Sequence, residues 1–303
     1  MRLPLLILLL AVFLKGNGQG LFDYADTLNK TRRNWVWITE GVGASTSIVL
    51  LNEVWYKNYP RSPLHSFNDN REWLQMDKVG HAMTSYYIGL AGNEMMKWSG
   101  VDQKRSVLFG STLGLVYLTG VEILDGTSAH WGFSWGDMLA NVSGTVLVGG
   151  QELLWGEQRF KMKVSAHMTT YASYRPNVLG ASRLERMLKD YNGQTYWLSM
   201  NLKSMFFREV DNFPGWLNLA AGYGVEEMIA GSPDADFCIT NPDLCGALSP
   251  YRQWYLSIDV DLTKVEWKRK VFKAIFGSFG WIKFPAPTIE LGNGATRFYW
   301  LYF

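Results

Sequence analysis

Four stretches of the chain carry apolar residues over lengths that predict helices: Trp35–Tyr56, Trp73–Trp98, Ser106–Leu124 and Ser134–Trp155. Polar or proline-bearing segments such as Tyr59-Pro60-Arg61-Ser62-Pro63 separate them. Small residues recur four apart, Gly110 with Gly114 and Ala140 with Gly144, a spacing that lets helix axes approach closely. Val107 to Val121 carries no charge, whereas Glu40, Asp77, Lys78, His81, Glu122, Asp137 and Glu152 interrupt the other stretches. A compact bundle with an apolar interior and a set of four membrane spans both fit this pattern.

After about residue 163 the period falls to two. Gln253 to Leu262 alternates polar and apolar without error, the pattern of a half-buried strand. Tyr196–Lys203 alternates similarly, with Tyr196, Leu198, Met200 and Leu202 on one face and Trp197, Ser199, Asn201 and Lys203 on the other. Leu217–Val225 and Val164–Tyr174 are further strand candidates. Glu290-Leu291, Gly292-Asn293-Gly294 and Ala295–Phe303 read as a hairpin on an Asn-Gly turn. The aromatic ending on Phe303 is similar to the last strand of outer-membrane barrels. About six strands fall short of the eight such barrels need, so a twisted antiparallel sheet or partial barrel is expected. Lys264–Phe276 places basic residues among Val265, Val271, Phe272, Ile275 and Phe276. That is an amphipathic helix for anionic headgroups or an ordinary solvated one. The fold class is therefore α+β. A helical bundle of about four helices occupies residues 21–160, and a β-rich domain with one basic amphipathic helix occupies 161–303.

The first twenty residues read as a cleavable signal: Met1-Arg2, an apolar run from Leu3 to Leu14, and small residues at Gly18 and Gly20. Their removal takes away Arg2 and Lys15 and no acid, so the net charge of +2 falls to zero. A neutral chain lacks the basic footprint of a nucleic-acid binder. The 14 Trp, 15 Tyr and 16 Phe suit either an interfacial belt or an aromatic-rich core. The only cysteines, Cys238 and Cys245, are expected to form a disulfide in an oxidising compartment. The expected location is the periplasm or outer membrane of a Gram-negative bacterium, with a membrane surface or outer-membrane proteins as partners.

Three short stretches bring chemistry to the helical half. Asp77 and His81 stand at i and i+4 on one helix face. Glu122 and Asp125 close the most apolar helix. Ser134, Asp137, Asn141 and Gly144 follow on another, where Ser134 and Asp137 also read as a helix start. Lys78 is a natural counter-ion for Glu122 or Asp125. In this order, Asp77-Lys78-x-x-His81, Glu122-x-x-Asp125 and Phe133-Ser134-x-x-Asp137-x-x-x-Asn141-x-x-Gly144 resemble the YfiM-like predicted periplasmic lipoproteins (domain of unknown function 2279). A looser likeness extends to VanZ-like proteins. The resemblance covers roughly residues 35–155 and implies an envelope location and a helical fold, with no established reaction. It departs in one respect: no cysteine lies near residue 21, so attachment is expected through the β half or the basic helix and not through an N-terminal lipid.

Carboxylates and one imidazole on facing helices can hold a divalent metal. Asp77, His81, Glu122, Asp125 and Asp137 form an oxygen-rich donor set suited to Mg, Ca or Mn, with Zn or Fe accepted. Without metal, His81 backed by Asp77 is the candidate general base, and Ser85 and Ser134 are candidate nucleophiles outside any elbow motif. The same residues also suit a local Asp77–His81 hydrogen bond within a buried structural network. Three functions stay open: a binder of lipid, glycan or partner protein around Asp77, Lys78, His81, Glu122, Asp125, Ser134, Asp137 and Asn141; a metal-dependent hydrolase or transferase on envelope lipid or glycan; and a scaffold subunit of an outer-membrane assembly.

Overall fold

The structure, a computed structural model, describes residues 23–57, 59–233, 235–268, 272, 276, 277 and 279–303. The signal segment 1–20 and most of the basic stretch of the expected helix at 264–276 lie outside these residues.

Four long helical runs build the first half: α1 (Lys30–Leu51), α2 (Met76–Trp98), α3 (Gln103–Gly126) and α4 (Trp135–Trp155). Each starts where the local chemistry supplies an acceptor or a turn. Asn29 caps α1, Asp102 caps α3 and Ser134 caps α4 by accepting a backbone N–H of the first turn. Before α2, Trp73, Leu74 and Gln75 all take left-handed backbone conformations, an uncommon run that swings the chain onto the bundle immediately ahead of Asp77. Gly156, also left-handed, ends α4.

Small residues set the helix spacing. A Cβ on Gly114 of α3 would lie 2.2 Å from the Ser85 carbonyl oxygen of α2. One on Gly144 of α4 would lie 2.1 Å from the Ala82 carbonyl oxygen of α2. α2 is thus clasped from two sides by backbones that no side chain keeps apart. Gln103–Gly126 is the one described run long and apolar enough to cross a membrane.

The second half is a six-stranded antiparallel meander in sequence order: β1 (Phe160–Ala166), β2 (Gln194–Asn201), β3 (Leu217–Glu226), β4 (Tyr251–Val260), β5 (Ala286–Gly292) and β6 (Ala295–Tyr302). Asn293 and Gly294, both at positive φ, make the two-residue turn of the last hairpin. The strand expected at Val164–Tyr174 begins earlier and stops at Ala166; Tyr171–Ser173 is a 3-10 turn. Among the described residues this half carries five short helices: α5 (Pro176–Leu179), α6 (Arg183–Lys189), α7 (Leu202–Phe206), α8 (Asp236–Thr240) and α9 (Pro242–Gly246). The first half thus holds the four long helices expected of the bundle, and the described helices of the whole chain number more than four. Cys238 and Cys245 are disulfide-bonded across α8 and α9. The two halves meet where Met76 packs against Val225 and Met228, and where Tyr223 donates to the Leu74 carbonyl.

Candidate functional site

Three helix ends converge at that junction. The start of α2 presents Asp77, Lys78 and His81, the end of α3 presents Glu122 and Asp125, and the start of α4 presents Asp137 and Asn141. The close approach of α2 and α4 at Gly144 brings His81 to Asn141 one turn away.

Lys78 is the hub. Its ammonium lies 2.6 Å from Asp69 Oδ2, 2.9 Å from Asp137 Oδ1 and 3.7 Å from Asp77 Oδ2. The pairing with Glu122 or Asp125 expected from sequence is not made, because Lys78 points toward α4 and the loop before α2. Burial works against the ammonium, but the hydrogen bonds to Asp69 and Asp137 outweigh it and hold its pKa above the usual lysine range. In return Lys78, together with the Ser134 hydroxyl, overcomes burial at Asp69 and lowers that carboxyl. Ser134 is fully engaged: its Oγ accepts from the Asp137 N–H at 3.1 Å and donates to Asp69 Oδ1 at 2.6 Å. Ser85 donates to the Asn141 carbonyl at 2.7 Å. Both serines considered as nucleophiles therefore hold the helices in place.

His81 faces acids on both ring nitrogens. Its Nδ1–H donates to Asn141 Oδ1 at 3.2 Å and stands 3.6 Å from Glu122 Oε1. Its Nε2 is 3.9 Å from Asp77 Oδ1, too long for the local hydrogen bond expected from sequence. Burial pulls the imidazolium down, but Asp77, Asp137 and Glu122 outweigh it and raise its pKa. The neighbouring acids thus favour the charged form of the ring, which works against His81 as a general base in the metal-free protein.

The acids outnumber the bases. Glu122 is 1% exposed; its Oε2 accepts the Ser134 N–H, while its Oε1 has no hydrogen-bond partner. Burial pushes its carboxyl up to about 7. Burial, reinforced by Asp77, pushes Asp137 up to about 6. Asp125, also raised by burial to about 6, turns away from the others to accept the Tyr56 hydroxyl at 2.8 Å. It therefore leaves the expected ligand set. Asp77, His81 and Asp137 each bring one donor atom within 4.8 Å of the others, while Glu122 stands on the Nδ1 side of His81, 3.6 Å away.

The sequence reading missed Asp69, Tyr56 and Tyr191. Asp69 sits in a polar loop without periodicity. Tyr191 reaches in from the β half to donate to Asp77 Oδ1 at 3.2 Å; no local spacing could have signalled it.

Residues 66–149 match the model of a family described as predicted periplasmic lipoprotein (DUF2279). No curated protein and no solved structure matches the chain. The matched segment contains every site residue from Asp69 to Asn141 and leaves the six-stranded sheet outside it. The match gives no support to the looser VanZ-like likeness. The word lipoprotein has no counterpart among the described residues, whose two cysteines are bonded to each other. Over the segment that carries the candidate site, the chain is similar to this family of predicted periplasmic lipoproteins.

Proposed function

We propose that the chain is an exported, envelope-associated protein whose helical half binds a divalent cation through Asp77, His81 and Asp137. The observation that carries this reading is the cluster itself: one donor atom each of Asp77, His81 and Asp137 lies within 4.8 Å of the others where the starts of α2 and α4 meet. Carboxylates held this close repel one another unless a cation or a proton compensates them. The second support is how His81 is held. The Nδ1–H bond to Asn141 fixes the ring, so that once Nε2 gives up its proton to an incoming cation its lone pair faces the Asp77 side, the arrangement of a metal-bound histidine oriented by a neighbouring carbonyl. Tyr191 orients Asp77 in the same way. Two carboxylates with one imidazole suit Mn²⁺ or Zn²⁺ better than a thiolate-seeking metal. The envelope location rests on the leader-like start and on the periplasmic description of the matched family.

A cation held by these three side chains would keep coordination positions open, and an oxygen of an anionic group entering past Asp77 could fill one of them. That chemistry suits the phosphate of an envelope lipid or glycan, the ligand class of this proposal. Titration calorimetry of the full chain with MnCl₂ and ZnCl₂ is expected to show one equivalent bound. His81→Ala or Asp137→Ala should weaken binding by about 100-fold or more. Asn141→Ala, which removes only the group orienting His81, should weaken it about 10-fold. No binding by the wild type, or equal binding by a folded His81→Ala variant, would overturn the reading.

A further inference from the structure

The sheet is built inside out. One row of outward positions runs unbroken across all six strands: Met162, Leu198, Ala221, Leu256, Ile289 and Phe298, each paired in register with the next. The adjacent inward row reads Lys163, Trp197, Gly222, Tyr255, Glu290 and Arg297. An antiparallel sheet in water turns its apolar face to the core and its polar face to solvent; here the assignment is reversed.

The polar side is the interior. Lys163 of β1 lies 2.7 Å from Asp259 of β4, and Lys161 lies 2.9 Å from Asp261 just after it. Ser199 of β2 donates to the same Asp259 at 2.6 Å. Strands three apart in the order touch through their side chains, so the sheet is strongly curled. Tyr302 of β6 reaches back across it to Tyr255 of β4 at 2.8 Å and Thr195 of β2 at 3.0 Å. Trp281–Lys283 then pairs with Val164 on the open edge of β1.

α2 covers part of the apolar outside at the first strands, where Met76 packs on Tyr196, Tyr223 and Val225 and Tyr87 donates to the Met162 carbonyl. Among the described residues, none covers the Leu256–Ile289–Phe298 row of β4–β6. Leu256, Ile289 and Phe298 are exposed there, and Trp300 reaches 78%. Trp254 and Trp300 flank that row on opposite sides, as aromatic residues flank the apolar band of a membrane barrel. The charge pattern suits the same occupant: the outward positions of β4–β6 hold no acid, and their one base, Arg252, stands at the rim where headgroup phosphates lie.

From this we infer that the outward face of β4–β6 lies against the acyl chains of a membrane, with the polar network as the shielded inner side. The inference does not depend on the cation site. The full chain is expected to float with vesicles of phosphatidylethanolamine and phosphatidylglycerol and to stay on them through an alkaline carbonate wash. Leu256→Asp combined with Ile289→Asp, two changes on the open face, should cut the vesicle-bound fraction at least tenfold. Phe298→Lys at the edge strand is the second variant, should the first not fold. Wild type remaining in the soluble fraction as a monomer, or as a dimer burying this face, would overturn the inference. So would flotation of the folded variants equal to that of the wild type.

Discussion

Gly144→Val is expected to lower the stability of the chain by about 3 kcal/mol and to dismantle the candidate site with it. The new side chain has to enter where a Cβ alone meets the Ala82 carbonyl at 2.1 Å and the Tyr86 nitrogen at 2.9 Å, both backbone atoms of α2. Overpacking a close-packed contact costs about 1–3 kcal/mol when the neighbours are side chains that can give way. Here the strain must be relieved by moving a helix. Separating α2 from α4 stretches the His81–Asn141 bond and the Lys78–Asp137 pair, so metal binding should fall together with stability. Gly150→Ala is the matched control. It lies on the same helix with nothing within 4 Å of its added Cβ, and it should be neutral or slightly stabilising. Chemical denaturation of the two variants beside the wild type checks both statements; an undiminished Gly144→Val midpoint would show that the helices are not in contact there.

Lys78→Met is the second large effect. It removes the ammonium that Asp69 and Asp137 share, leaving the buried Asp137 and the half-buried Asp69 without that counter-charge. Breaking a buried ion pair from one side costs about 3–5 kcal/mol, so the variant is expected to be destabilised by roughly that much at pH 8. The deficit should shrink on acidification, and the sign follows from the carboxyls. Asp137 is raised to about 6 even with Lys78 present, and its neutral form is the one the buried site tolerates. A raised carboxyl contributes stability that is present at low pH and lost as pH rises through its folded pKa. Protonation near pH 5 therefore restores part of what Lys78 supplied. Asp69, whose pKa Lys78 lowers in the wild type, works in the opposite sense: its stabilising share is lost as pH falls through its folded pKa. Thermal melts of wild type and variant at pH 5 and pH 8 should thus lie closer together at pH 5. A gap that stays constant or widens in acid would contradict the assigned role of Lys78.

The helices were legible because each is a long apolar run, and at the start of α4 Ser134 adds a recognisable cap. The close approach at Gly114 and Gly144 was also legible, since four-residue spacing of small residues leaves few other purposes. The first strand was misplaced because its inward residues are Lys161, Lys163 and Ser165, which read as a polar tail and not as the buried face of a sheet. The same inversion runs through the other strands. Alternation told which residues share a face, but not that the polar face would be the inner one. At the site, the motifs brought Asp77, His81, Asp137 and Asn141 together as expected. Asp125 was lost to Tyr56, a residue whose approach depends on how α1 packs on α3. Lys78 found Asp69 and Asp137 because the left-handed turn at Trp73–Gln75 sets the rotation of α2, a constraint that helical periodicity does not encode.

The central claim, a divalent cation held by His81 and two aspartates, is tested most directly by pulsed electron paramagnetic resonance of the Mn²⁺-loaded chain. One bound Mn²⁺ coupled to a single imidazole nitrogen, with the coupling lost in His81→Gln, is the predicted result. Bound Mn²⁺ with no nitrogen coupling, or a coupling that survives the loss of His81, would contradict it.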